Sequence, residues 1–157
     1  MRMILAFLVV LAGCGERVVA LHDDWLDSFS LHTVEYEIYR DQFAIVEARP
    51  IVVTSSDGVG YAVLLNVRRR DANGPKINQI TSGTVSLNYS RHDRKRTHCI
   101  DGCQRAELGA IHFSKRAFEI AAHTGLPLRI WGQRARYDGI VPADAFAQVL
   151  SRISQSD

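Results

Sequence analysis

Hydrophobic and polar positions divide this chain into short alternating runs and two clear helical stripes. Val34, Tyr36 and Ile38 alternate with Glu35 and Glu37, and Phe43 and Ile45 follow in step, so residues 32–48 read as extended. Residues 51–54 and 60–69 are rich in branched apolar residues and flank Ser55-Ser56-Asp57-Gly58, the pattern of a β-hairpin. The second of these runs is apolar on both faces before it ends in Arg68-Arg69-Arg70, which predicts a central strand whose end emerges into water. Asp71-Ala72-Asn73-Gly74-Pro75 is a loop. Strands are predicted around 77–80, 84–90, 106–113 and 126–131, with Gly139 ending a loop.

Ser114 is placed to cap a helix whose stripe is Ala117, Phe118, Ala121 and Ala122, with Gly125 and Pro127 as the stop. Pro142 suits the first turn of a second helix, with Ala145, Phe146, Val149, Leu150 and Ile153 on one face. Near the start, Val18, Leu21, Trp25 and Phe29 recur at roughly helical spacing, with Asp23, Asp24 and Asp27 on the other side, which predicts a short amphipathic helix within residues 15–31. The fold class is therefore α+β: mostly antiparallel β-sheet with a short N-terminal helix and two helices in the C-terminal half.

The first residues carry a different message. Arg2 precedes an apolar run from Met3 to Val10, too short to span a bilayer, which needs about 20 such residues. Leu11-Ala12-Gly13-Cys14 follows. This arrangement resembles a bacterial lipoprotein signal with its lipobox. The resemblance implies cleavage before Cys14, acylation of the Cys14 sulfur and a membrane-anchored mature protein. Gly15 stands where an aspartate is associated with inner-membrane retention, so the implied destination is the outer membrane, facing the periplasm. The expected organisation is a signal peptide over 1–13, a lipidated approach segment over 14–31 and a single α+β domain over 32–157.

The whole chain has 157 residues, 46% apolar and 23% charged, as expected for one globular domain. Its charge is unevenly placed. From Cys14 to Ala48 there are two cations and eight anions, whereas from Arg49 to Arg105 there are ten cations and four anions. The basic stretch Arg91, Arg94, Lys95 and Arg96 is the candidate surface for an anionic partner. An edge strand guarded by cations against aggregation is the plainer account of the same residues. Tyr89 is the one aromatic nearby, which with export argues against nucleic acid.

With Cys14 assigned to lipid, Cys99 and Cys103 remain as a pair in an oxidising compartment, and a disulfide between them is the expectation. The alternative is thiol-redox or metal chemistry, with His98, Cys99, Cys103 and His112 as the donor set for zinc or cuprous copper. Gly-x-Ser-x-Gly, His-Glu-x-x-His and a phosphate-binding glycine loop do not occur. Trp25 and Trp131 read as core anchors. No cofactor is implied. The expected function is that of a lipid-anchored envelope protein, non-catalytic, contacting an envelope protein or an anionic envelope polymer.

Overall fold

The computed structural model describes residues 18–23, 28–70, 74–97 and 104–154. Among them the strands are β1 (Val18–Asp23), β2 (Ser28–Thr33), β3 (Tyr36–Arg40), β4 (Ala44–Ser55), β5 (Gly58–Arg69), β6 (Ile77–Ser82), β7 (Val85–Ser86), β8 (Asn88–Thr97), β9 (Gln104–Phe113), β10 (Leu126–Gly132) and β11 (Arg136–Val141). The helices are α1 (Lys115–Thr124) and α2 (Ala143–Ile153). No helix among the described residues is long and apolar enough to cross a membrane.

Two antiparallel sheets form. The larger runs β1-β2-β4-β5-β9-β8, with β3 also paired to β4. The smaller runs β11-β10-β6-β7. The β4–β5 hairpin is the spine, paired without a break from Ala44↔Arg69 to Ser55↔Gly58. Its turn is the one the sequence marks. On the other edge of β4, β2 covers Ile51–Thr54 and β3 covers Ile45–Ala48. Arg49 and Pro50 fall opposite the gap between β2 and β3. A proline, which has no N–H to give a ladder, is tolerated at such a gap.

Alternation along β4 decides what is inside. Ala44, Val46, Ala48, Pro50 and Val52 are buried, and the residues between them are half-buried. Val63, Leu65 and Val67 of β5 continue the same inner face. Two layers cover that face. The helices lie over one half, where Phe118 sits fully buried between Tyr61 (ring centroids 5.4 Å apart) and Phe146 (5.0 Å, edge-on). The smaller sheet lies over the other half, where Tyr137 meets Tyr39 edge-on at 5.3 Å.

Both helices in the C-terminal half form as the sequence indicates. The Ser114 hydroxyl accepts from the Ala117 N–H, and Gly125, at φ 71°, closes α1 by donating to the Ala121 carbonyl. Pro142 is the residue just before α2 rather than inside its first turn.

Three expectations need correction. The N-terminal helix is replaced by β1 and β2, paired from Val18↔Thr33 to Asp23↔Ser28. The spacing of Val18, Leu21 and Phe29 fits a helix, but β4 offers an edge on which Leu31 becomes buried, and pairing prevails over local periodicity. The domain accordingly extends on the N-terminal side of residue 32. Gly139 does not end a loop; it lies inside β11 opposite Leu128, and a Cβ there would come within 2.5 Å of the Ile38 carbonyl oxygen. The glycine lets the smaller sheet approach β3 closely.

Candidate functional site

Antiparallel register gathers cations that are far apart in sequence. Arg69 pairs with Ala44 on one side and Arg105 on the other, and Arg105 pairs with Arg96. In the next row Arg68 lies between Ile45 and Ala106, with Arg40 beyond Ile45 and Lys95 beyond Ala106. The end of β3, the start of β4, the end of β5, the start of β9 and the end of β8 thus meet at one end of the larger sheet. The smaller sheet reaches the same end: the Gln133 N–H donates to the Lys76 carbonyl at 3.1 Å, and Arg69 Nη1 donates to the Tyr137 hydroxyl at 3.2 Å.

The β3–β4 turn gives this basic end its shape. Asp41 holds the turn: Oδ1 accepts from the N–H groups of Phe43 (2.7 Å) and Ala44 (2.6 Å), and Oδ2 accepts from the Tyr39 hydroxyl (2.8 Å). The Asp41 N–H in turn donates to the Ala44 carbonyl. Gln42 and Phe43 are left at the tip, with Phe43 55% exposed. Between this turn and the end of β5 is a cavity of about 150 Å³ lined by Arg40, Asp41, Phe43, Arg68 and Arg70. Arg40 grips both carboxylate oxygens of Glu37, and this contact holds the Glu37 carboxyl below its ordinary range. Arg68 Nη2 donates to Glu47, whose other oxygen accepts from Asn66 Nδ2 at 3.1 Å. Arg68 Nε is shielded from solvent and meets no acceptor among the described residues. Arg70 is exposed.

Burial pushes the Asp41 carboxyl up, but the Tyr39 hydroxyl, the Phe43 and Ala44 amides and nearby Arg69 together hold it below the ordinary range. Its folded value is therefore lower than its unfolded one. The resulting stabilisation is present above about pH 4 and is lost as pH falls through the depressed value. Because the group is largely solvated, the effect is a few tenths of a kcal/mol. Asp41→Asn is expected to lower the urea midpoint slightly at about pH 6 and by progressively less as pH falls through the depressed value, since the amide is the isostere of the protonated acid. A difference that grew on acidification would contradict this account.

The residues singled out from sequence are distributed as follows. Arg91 points inward: Nε donates to Glu107 Oε1 at 2.9 Å and Nη2 to the Ile77 carbonyl at 3.0 Å, so it ties β8 to β6. Arg94, Lys95 and Arg96 occupy the end of β8 in register with Glu107, Ala106 and Arg105. Cys14, His98, Cys99 and Cys103 lie outside the described residues, so the lipidation, the disulfide and the alternative metal set all rest on positions not described. His112 is exposed and its Nε2 is 2.7 Å from the Ser90 hydroxyl. No group of three or more metal-ligating side chains assembles among the described residues. Trp131 is not a core anchor; it is 38% exposed on the smaller sheet, with the Arg136 guanidinium 5.6 Å from its ring centroid.

Two further concavities exist. One, of about 210 Å³, lies on the open face of the larger sheet, with Leu64 and Leu108 between Glu35, Glu47, Arg49 and His92. The other, of about 520 Å³, lies on the smaller sheet, where Asp138 bridges Arg129 (2.7 Å) and Arg136 (3.0 Å). Carboxylates meet cations there as they do at the basic end, where Glu37 faces Arg40 and Glu47 faces Arg68. The basic end joins more unlike elements, and Phe43 and the Arg68–Arg70 run there were not singled out as binding residues from sequence. The signal available was that β5 and β8 both finish in basic runs. Comparisons with protein-family models, curated proteins and solved structures found no match to this chain.

Proposed function

We propose that this chain is a lipid-anchored, non-catalytic binding module of the bacterial cell envelope, acylated at Cys14 and directed to the outer membrane on its periplasmic side. Its basic end is the surface that engages an anionic component of the envelope. The observation that carries the reading is the convergence of Arg40, Arg68, Arg69, Arg70 and Arg105, from three separate stretches of sequence, at one end of the larger sheet. The lipobox-like Leu11-Ala12-Gly13-Cys14 supports the location. Cations close together raise the local concentration of anionic partners, and arginine forks match phosphate and carboxylate oxygens in pairs.

The test is intact mass of the protein from native membranes, with thiols alkylated before reduction. The expected species begins at an acylated Cys14 and takes up no alkylating agent. An unprocessed chain starting at Met1 would end the anchoring argument. Alkylation of Cys99 and Cys103 would remove the disulfide and bring thiol or metal chemistry forward in place of simple binding.

A further inference from the structure

We propose that the β3–β4 turn is a second membrane contact, in which Phe43 enters the interface of an anionic phospholipid bilayer and Arg40 and Arg70 hold lipid phosphates beside it. This rests on the lipid-anchored reading for its biological setting, but its chemistry is carried by the fold alone.

Two observations support it. The tip of the turn presents a large apolar ring, more than half exposed, on a backbone held by the Asp41 hydrogen bonds. An apolar side chain in water with cations around it is the arrangement that lets a ring enter the acyl boundary while charges remain among the headgroups. Second, the cavity next to the ring is lined by three arginines, Arg40, Arg68 and Arg70, against one carboxylate, Asp41, whose oxygens are taken up by the turn. A volume of about 150 Å³ admits a phosphate group but not a folded partner. Each cation held near an anionic bilayer contributes about a fivefold gain in binding.

The test uses the full chain carrying Cys14→Ser, so that no acyl chain contributes. Binding is measured by co-sedimentation with vesicles of phosphatidylglycerol in phosphatidylcholine and with phosphatidylcholine vesicles. Competition by soluble glycerol phosphate forms a third arm. Arg40→Gln/Arg70→Gln should weaken binding to the anionic vesicles about tenfold or more. Phe43→Ser should weaken it with the salt dependence unchanged. Lys115→Gln/Arg116→Gln, the same charge change at the start of α1, far from the turn, should have little effect. Equal loss in both double variants would overturn the proposal in favour of diffuse charge attraction. Competition by glycerol phosphate at matched phosphate concentration would overturn it in favour of a soluble-phosphate site. Failure to bind anionic vesicles better than neutral ones would also overturn it. Circular dichroism of each variant confirms that a loss of binding is not a loss of fold. Because Cys14 is absent here, a negative result leaves acylation standing, and absence of acylation in the native protein leaves a positive result standing.

Discussion

Glu107→Ala is expected to destabilise the fold by about 3–5 kcal/mol, one of the two largest single-residue losses expected in this protein. Glu107 is fully buried, yet it is a carboxylate in the middle of a strand. Its Oε1 accepts from Arg91 Nε (2.9 Å), the Tyr89 hydroxyl (3.2 Å) and the Ile77 N–H (3.2 Å). Ile77 is the first residue of β6, so this carboxylate fastens the smaller sheet to β8 and β9. Removing it leaves the Arg91 guanidinium beside a cavity and a buried N–H at Ile77 with its acceptor gone. Breaking such a pair costs more than the pair itself contributes, because the partner's desolvation is no longer offset. Arg91 is 40% exposed along its side chain and can recover some water, which favours the lower part of the range. Urea denaturation gives the result directly: the midpoint should fall with the slope unchanged. Glu107→Gln keeps an acceptor for Ile77 and Tyr89 and should lose about half as much. A loss under about 1 kcal/mol for the alanine variant would mean that β6 is held by apolar packing alone.

The same region shows why the sequence reveals some features and hides others. Ser114, Gly125 and the Ser55–Gly58 turn act through their immediate neighbours, so their roles can be read locally, and the structure agrees. Glu107 sits in Ala-Glu-Leu-Gly-Ala, where alternation would place a glutamate on the solvent side. Its partners are 16, 18 and 30 residues away, and no local pattern announces them. Gly109 has a similar hidden purpose: the Tyr89 ring lies across it, 2.4 Å from where a Cβ would stand, so the bare backbone is what admits the tyrosine and its hydrogen bond to Glu107. Trp131 looked like core because of its size, but alternation along β10 buries Leu128 and Ile130 and turns Trp131 out. The basic end was partly visible. Arg68–Arg70 and Arg94–Arg96 each finish a strand, but β8 is followed in sequence by β9 and separated by it from β5 in space. Only with β9 between them do β5 and β8 run in the same direction and end together.

Phe118→Ala is expected to cost about 3–5 kcal/mol by a different route, the opening of a cavity at a three-way joint. Phe118 has no solvent exposure and touches Tyr61 of β5 on one side and Phe146 of α2 on the other. It therefore joins α1 to the sheet and to α2, while α2 also packs directly on β2 and β4. The ring contacts add to the area term, since edge-on aromatic pairs contribute about 0.5–1.5 kcal/mol beyond burial. Phe118→Leu, which fills most of the space, should recover much of the loss; if it did not, ring geometry rather than volume would be the main factor. This joint lies near the β4–β5 turn, whereas the cations and Phe43 lie at the opposite end of the same strands. Vesicle binding by the folded fraction of Phe118→Ala should therefore match that of the parent chain, while its thermal midpoint falls. A parallel loss of binding would mean that the helices and the basic end communicate along β4 and β5, and the turn would then be a responsive element rather than a fixed contact. The unbroken twelve-residue pairing of β4 with β5 favours the fixed contact, because a ladder of that length resists bending at one end when packing is removed at the other.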